Sequence, residues 1–287
     1  MAYLLEFGVN KNMLYICATP IGNLKDISLR AIETLSQADV VLCEDTRLSR
    51  QLFAFHGINV KKMVALHEHN ESQIAADVIR WLDEGKLIVQ VSDAGTPGIS
   101  DPGARLCNKV REHGHQISPL PGACAYISLL SVSGLNKPSL FYGFLPSTTT
   151  KRCKVLEQWV KANYAICLYE APHRILDSLA DIAKILGNDC HIIMGRELTK
   201  KFETIKSLPV SQLISFIQND SNQQRGEFVM LVSPIIHKDE FVLNQEHIRL
   251  LTLLAQELPP KKAATLAAKI LGSETNVLYN YLVNLKH

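Results

Sequence analysis

The sequence predicts an α/β protein with two α/β domains and a small helical appendage at its end. Short apolar runs alternate with segments of helical periodicity over most of the 287 residues. Turns rich in Gly and Pro follow several of those runs. Beyond Pro234 the strand signals stop and the pattern is wholly helical. We place the domain boundaries at 1–121, 122–236 and 237–287.

Residues 13–20, MLYICATP, read as a buried strand, and after Asp26 the side chains of Ala31, Ile32 and Leu35 share a helical face. VVLCED (40–45) is the next strand, TRLSRQLFAFHG a short helix closed by Gly57, and MVAL (63–66) a third strand. From Asn70 to Gly85, Ile74, Val78, Trp81 and Leu82 recur at helical spacing, with Gly85 in the stop position. LIVQV (87–91) is a strand that feeds the loop VSDAGTPGISDPG (91–103). Asp101 is expected to cap the following helix, with Pro102 at its first position. ISPLPG (117–122) is a strand running into a Pro-Gly turn, and ACAYISLLSVSG a helix of small residues. Such alternation predicts a parallel sheet covered by helices on both faces.

The character changes at LFYGFLP and STTTKRCK (140–154). A second α/β unit follows: strand AICLYEA, helix 173–186, strand HIIMGREL, extended FETI, helix 211–218 and strand EFVMLVSP. HIRLLTLLAQEL (247–258), PKKAATLAAKILG (260–272) and VLYNYLVNL (277–285) then read as three short helices resembling a helix-turn-helix.

With 47% hydrophobic and 20% charged residues the composition is that of an ordinary globular protein. A net charge of +2 neither demands nor excludes a nucleic-acid partner. The seven cysteines form no C-x-x-C pair and no zinc-like spacing, which suits reduced thiols in a cytoplasmic protein. No signal peptide or membrane span is expected. HEHNE (67–71) contains H-x-E, but no P-C-x-x-C follows it. The pairs His67/His69 and His113/His115 lack a third ligand, so no metal site is expected.

Ligands of open parallel sheets bind at the carboxyl ends of strands. Three loops fall there: TPIGN with Pro20 and Gly22, SDAGTPGISDPG with Asp93, Ala94, Gly95 and Thr96, and PLPGA with Pro121, Gly122 and Ala123. Gly and Pro are ordinary turn residues, and one such loop would need no ligand to explain it. Three at corresponding strand ends point to a ligand that approaches bare, preformed backbone. Neither G-x-G-x-x-G nor G-x-x-x-x-G-K-[ST] occurs. Asp93 and Asp101 would repel a pyrophosphate, so a cationic or zwitterionic ligand such as S-adenosylmethionine is expected.

LYICATPIGNLKDISLRAIETLSQADVVLCEDTR, VSDAGTPGISDPG, LPGACA, YEAPHRI, RELTKKFET and GEFVMLV occur in this order. Together they closely resemble the ribosomal RNA small subunit methyltransferase I family, within the tetrapyrrole-methylase-like (class III) S-adenosylmethionine enzymes. The resemblance spans about residues 13–234, and KKAATLAAKILG and LYNYL resemble that family's C-terminal segment. It implies 2′-O-methylation of cytidine 1402 of 16S rRNA in the small subunit, a cofactor cleft between two α/β domains, and a homodimer.

A ribose hydroxyl is a poor nucleophile, so a general base is expected to help by about 10²–10⁴-fold. Glu44, Asp45, Asp93, Glu170, His173, Glu197 and Glu227 are candidates, and Glu170 and His173 in YEAPHR are preferred because they share a turn with Arg174. Cofactor contacts are also expected from Tyr169 and Phe228 at strand ends of the second unit. Cations for RNA phosphates are Arg47 and Arg50, Lys151 and Arg152, Arg174, Lys200 and Lys201, and Lys261 and Lys262. The rival functions are a tetrapyrrole methyltransferase on the same scaffold and a non-catalytic RNA-binding assembly factor. A nicotinamide oxidoreductase fits worst, for want of the glycine fingerprint.

Overall fold

The computed structural model describes residues 9–67, 69–234, 243–273 and 275–284. The chain divides into two compact units, Met1–Ile235 and Ile236–His287. The boundary expected at 236/237 lies outside the described residues.

Five strands, β1 (Met13–Cys17), β2 (Val40–Cys43), β3 (Met63–Ala65), β4 (Ile88–Val91) and β5 (Gln116–Leu120), form a wholly parallel sheet in the order β3-β2-β4-β1-β5. Between them run α1 (Leu29–Gln37), α2 (Thr46–Phe55), α3 (Glu71–Asp83) and α4 (Ala104–Glu112). The period-two alternation of a strand divides the apolar runs between two faces. Cys17, Val41, Cys43 and Val89 pack with Leu35 of α1 and Phe53 of α2. Leu14, Val40, Leu42 and Ile88 pack with Val78 and Trp81 of α3 and Leu106 of α4. Because both faces are covered, the strands read as continuous apolar runs. β1 lies between β4 and β5, so the chain winds to both sides of it and the loops after these three strands meet at one edge.

The helix starts follow local capping chemistry. Ser28 Oγ accepts from Ala31 N at 3.1 Å to cap α1, and Asp45 Oδ1 accepts from Arg47 N at 2.7 Å to cap α2. The expected cap of α4 by Asp101 does not form. That helix begins at Ala104 after Gly103, whose φ of 140° suits only glycine. The cap comes from another helix: the buried Glu71 Oε1 accepts from Gly103 N at 3.1 Å and Leu106 N at 2.9 Å. Gln90 Nε2 donates to Pro102 O at 2.8 Å, and a Cβ on Gly103 would lie 2.6 Å from that nitrogen. Asp101 is thereby left free to face the sheet edge.

The second sheet contains β6 (Ser139–Phe144), β7 (Ala165–Glu170), β8 (His191–Arg196), β9 (Thr204–Pro209) and β10 (Phe228–Ser233), in the order β6-β7-β10-β8-β9. Only β6 and β7 are parallel, and the other pairings are antiparallel. Three helices, α6 (Thr149–Glu157), α7 (Ile175–Leu186) and α8 (Val210–Asn219), cover one face around Leu168, Leu179, Met194 and Leu213. The other face packs on α5 (Ala125–Val132) through Leu129, Cys167, Ile193 and Val229. Ile21, from the loop after β1, joins the same cluster and ties the two sheets into one unit.

In the second unit, α9 (Gln245–Glu257), α10 (Pro260–Leu271) and α11 (Thr275–Asn284) pack through Leu251, Leu278 and Leu282 around the alanine face of α10. Pro260 starts α10 and Gly272 ends it in the left-handed conformation, as the sequence predicts.

Candidate active site

The three predicted loops are stitched together by main-chain hydrogen bonds. Thr19 N donates to Gly95 O at 2.8 Å and Gly95 N to Thr19 O at 3.0 Å, joining the loops after β1 and β4. Thr96 Oγ1 donates to Ala123 O at 3.2 Å, adding the loop after β5. Asp93 Oδ1 accepts from Asp45 N at 2.8 Å, drawing in the end of β2. Gly95 has a φ of 85°, a conformation that permits this reciprocal pairing and disfavours any side chain.

These loops face the ends of β7 and β8 and the start of β10 across a cavity of about 410 Å³, within the range of small-molecule sites. One wall carries Glu44, Asp93 and Asp101 with the main chain of Ala94–Thr96. The opposite wall carries aromatic and apolar surface from Phe144, Tyr169, Phe228 and Val229 beside Glu170 and Glu227, and Ile21 and Leu198 also line the cavity. Burial and the charges of Glu44 and Asp93 push the Asp101 carboxyl up to about 6, against a hydrogen bond from Ser92 that lowers it. Burial and Asp93 also raise Glu44. Burial raises the Tyr169 phenol well above its ordinary value. The site thus offers carboxylates for a cation, free main chain for hydrogen bonds and aromatic surface for a flat apolar group.

Of the expected cofactor residues, Asp93, Ala94, Gly95, Thr96, Tyr169 and Phe228 line this cavity. Pro20, Gly22, Pro121, Gly122 and Ala123 do not; their neighbours Ile21, Cys124 and Ala125 do. The two glycines serve close packing: a Cβ on Gly122 would lie 2.9 Å from Ala18 Cβ, and one on Gly22 would strike Lys200 Cγ.

The preferred bases are placed differently from expectation. Glu170 reaches the cavity wall, but its buried carboxylate accepts from Ala171 N at 2.9 Å and Ser178 Oγ at 2.5 Å and lies 3.3 Å from Arg174 Nε. With its lone pairs occupied, it braces a turn rather than standing ready for a proton. His173 is exposed in a 3-10 turn and is not among the residues lining the cavity. Asp101, by contrast, lines the cavity with its carboxyl raised and, among the described residues, no cation beside it. Its signal in the sequence is a second carboxylate in an acidic Gly/Pro loop, at a position that local pattern assigns instead to a helix cap.

The cations divide likewise. Arg152 is 2% exposed and pairs with Asp181 at 2.6 Å, while donating to the carbonyls of Pro146 and Ser147. Arg174 donates to Leu145 O at 2.6 Å and Pro146 O at 3.1 Å. Lys200 bonds Glu197 at 2.9 Å and Glu227 at 2.7 Å. These three hold the structure together and do not offer free charge. Arg50, Lys151, Lys201, Lys261 and Lys262 are exposed. Arg47 is exposed too, although it pairs with Asp45 at 2.7 Å. Among the described residues no group of three or more His, Cys, Asp or Glu side chains could hold a metal ion, and no helix is long and apolar enough to cross a membrane.

Residues 13–214 match the family described as Tetrapyrrole (Corrin/Porphyrin) Methylases, and residues 242–286 match the RsmI C-terminal HTH domain. The chain is 45% identical over 270 residues to the ribosomal RNA small subunit methyltransferase I of Vibrio cholerae, covering 94% of this chain and 93% of that one. It is 41% identical over 275 residues to the protein of the same name from Neisseria meningitidis, covering 96% and 94%. The crystal structure of diphthine synthase shares the fold, with a TM-score of 0.58 at 15% identity over 78% of this chain and 91% of that one. Matched nearly end to end in sequence, and carrying the loops that first suggested the resemblance, the chain belongs to the ribosomal RNA small subunit methyltransferase I family, methyltransferases of the tetrapyrrole methylase fold.

Proposed function

We propose that this protein transfers a methyl group from S-adenosylmethionine to the 2′-hydroxyl of cytidine 1402 in 16S rRNA of the small ribosomal subunit, acting in the cytoplasm as a homodimer. The observation that supports this most is the cavity with a carboxylate wall, exposed main chain and an aromatic wall. Its residues fit the cofactor. Glu44, Asp93 and Asp101 attract a sulfonium and an ammonium, and Tyr169, Phe228 and Val229 suit an adenine. The name of the relatives supports small-subunit RNA as substrate. The nucleotide, the ribose oxygen and the dimer rest on the family resemblance.

The cofactor, when bound, supplies a methyl group that needs no further activation. The protein must therefore align the ribose oxygen, which is worth roughly 7–11 kcal/mol in well-oriented reactions, and receive its proton. Asp101 suits the second task. A carboxylate titrating at about 6 is ionised at neutral pH yet more basic than an ordinary aspartate. The exposed Arg47, Arg50, Lys151, Lys201, Lys261 and Lys262 would bind phosphates, giving salt-dependent affinity without sequence choice.

Mapping ribose methylation in small-subunit RNA from cells with and without this protein tests the assignment, and an unchanged pattern refutes it. In titration calorimetry, tight binding of a dinucleotide with no heat from S-adenosylmethionine would overturn the cofactor. Sedimentation of a single 32.0 kDa species at micromolar concentration would overturn the dimer.

A further inference from the structure

The hairpin loop between β8 and β9, residues 197–203, is held in a costly conformation. Glu197 has a φ of 51° and Thr199 a φ of 66°, and for a β-branched residue this is a genuine outlier. Such backbone persists only where its surroundings impose it, and it concentrates at ligand clamps. Here the surroundings do impose it. Arg196, 6% exposed, donates to Phe202 O at 3.0 Å, Asn222 O at 2.7 Å and Arg225 O at 2.7 Å. Glu203 Oε2 accepts from Thr199 N at 2.6 Å, and Glu197 Oε1 accepts from Glu227 N at 2.9 Å.

The strap has two ends with different fates. Leu198, 8% exposed, lines the cofactor cavity. Phe202, four residues on, is 66% exposed, although its own carbonyl is gripped by the buried Arg196. An exposed phenyl on a loose loop asks for no explanation. This one sits on a backbone whose position is fixed at energetic cost. Lys201 Nζ lies 5.5 Å from its ring centroid.

We propose that Phe202 is a stacking platform for an unpaired base of the RNA substrate, next to the nucleotide that is methylated, with Lys201 on the neighbouring phosphate. A flat apolar surface with the Lys201 ammonium beside it matches a base attached to a phosphodiester. Single-stranded RNA is bound through aromatic stacking of this kind. The inference rests on RNA being the substrate and adds a residue that reads it.

The test measures anisotropy of a fluorescein-labelled single-stranded RNA carrying the target region, and steady-state methylation of unmethylated small subunits. Phe202→Ala and Phe202→Leu should each weaken RNA binding and raise the KM for subunits about 5–150-fold, the usual worth of one stacked base. Phe202→Trp should restore both, and S-adenosylmethionine affinity should stay at the wild-type value in all three. A leucine variant that binds RNA as the wild type does would overturn stacking, since it keeps apolar area and loses only the ring. RNA affinity unchanged in Phe202→Ala, with a shift in sedimentation instead, would show a protein contact and overturn the proposal. Wild-type protein that methylates no RNA would refute the assigned reaction, whereas the anisotropy series would still decide whether Phe202 stacks on a base.

Discussion

Asp101→Asn should make the protein more stable and less active, and the two effects should share a pH dependence. Aspartate in an unfolded chain titrates near 3.9, whereas Asp101 in the fold titrates at about 6. A difference of about two pH units corresponds to about 3 kcal/mol if fully expressed. Asp101 is only partly buried, and solvent screening at the cavity wall reduces this to about 1–2 kcal/mol. The sign follows from proton linkage. The fold favours the protonated carboxyl, so the stability this contributes is complete below pH 4 and is lost as pH rises through 6. An asparagine never ionises. Urea unfolding of the two proteins should therefore coincide near pH 4, diverge between 4 and 6, and above 6 show the variant ahead by a constant margin. Wild-type kcat/KM should rise through about pH 6 as Asp101 ionises in the free protein, and the variant should lose about 10²–10⁴-fold in kcat. A stability difference equal at pH 4 and pH 8 would refute the strained carboxylate. A variant kcat within twofold of wild type would refute its role as base.

Arg47→Ala/Arg50→Ala should raise the KM for RNA, reduce the salt slope of binding by about one unit for each phosphate no longer neutralised, and leave S-adenosylmethionine affinity unchanged in calorimetry. Arg152→Ala should instead cost about 3–5 kcal/mol in urea unfolding, because it leaves Asp181 buried without its partner. An RNA defect with normal stability would restore Arg152 to the binding surface. Glu71→Gln should cost about 1–2 kcal/mol, since it removes a charge that caps α4 and lies in the first turn of α3. Cofactor titration should show weaker binding as the loop ending at Gly103 loosens.

Much of the architecture was legible because it follows from periodicity. The doubly covered sheet was readable from runs such as VVLC and IVQV, which no exposed strand would carry. The second sheet was legible only as strands and helices in order. Its antiparallel core depends on β10 entering between β7 and β8, a pairing over long sequence separation that local pattern does not encode. The α4 cap failed for a related reason. Asp101-Pro102 satisfies every local rule for a helix start, yet Glu71, far earlier in the chain, supplies the carboxylate.

The same division explains which site residues were found. Glycine and proline mark where backbone must turn sharply or approach closely, so they located the loops after β1, β4 and β5. They mark the turn and not the ligand. At Gly22 and Gly122 the close approach is to Lys200 and Ala18, and the cavity is lined one or two positions away, by Ile21 and Cys124. At Gly95 a Cβ would lie 3.4 Å from Ile21 Cγ2 on a backbone at φ 85°, so a substitution there would test strain before it tested ligand contact. Charged residues were harder still, because a charge in the sequence carries no record of its partner. YEAPHR displays a carboxylate, an imidazole and a guanidinium in one turn, and only the fold shows Glu170 and Arg174 spent on each other and on nearby main chain. Asp101 is the opposite case. Burial, together with the charges of Glu44 from the end of β2 and Asp93 from its own loop, leaves it able to accept a proton near neutral pH. A site for proton transfer is best sought where folding has left a carboxylate buried and without a cation, and here that depends on two strand ends brought together by the sheet.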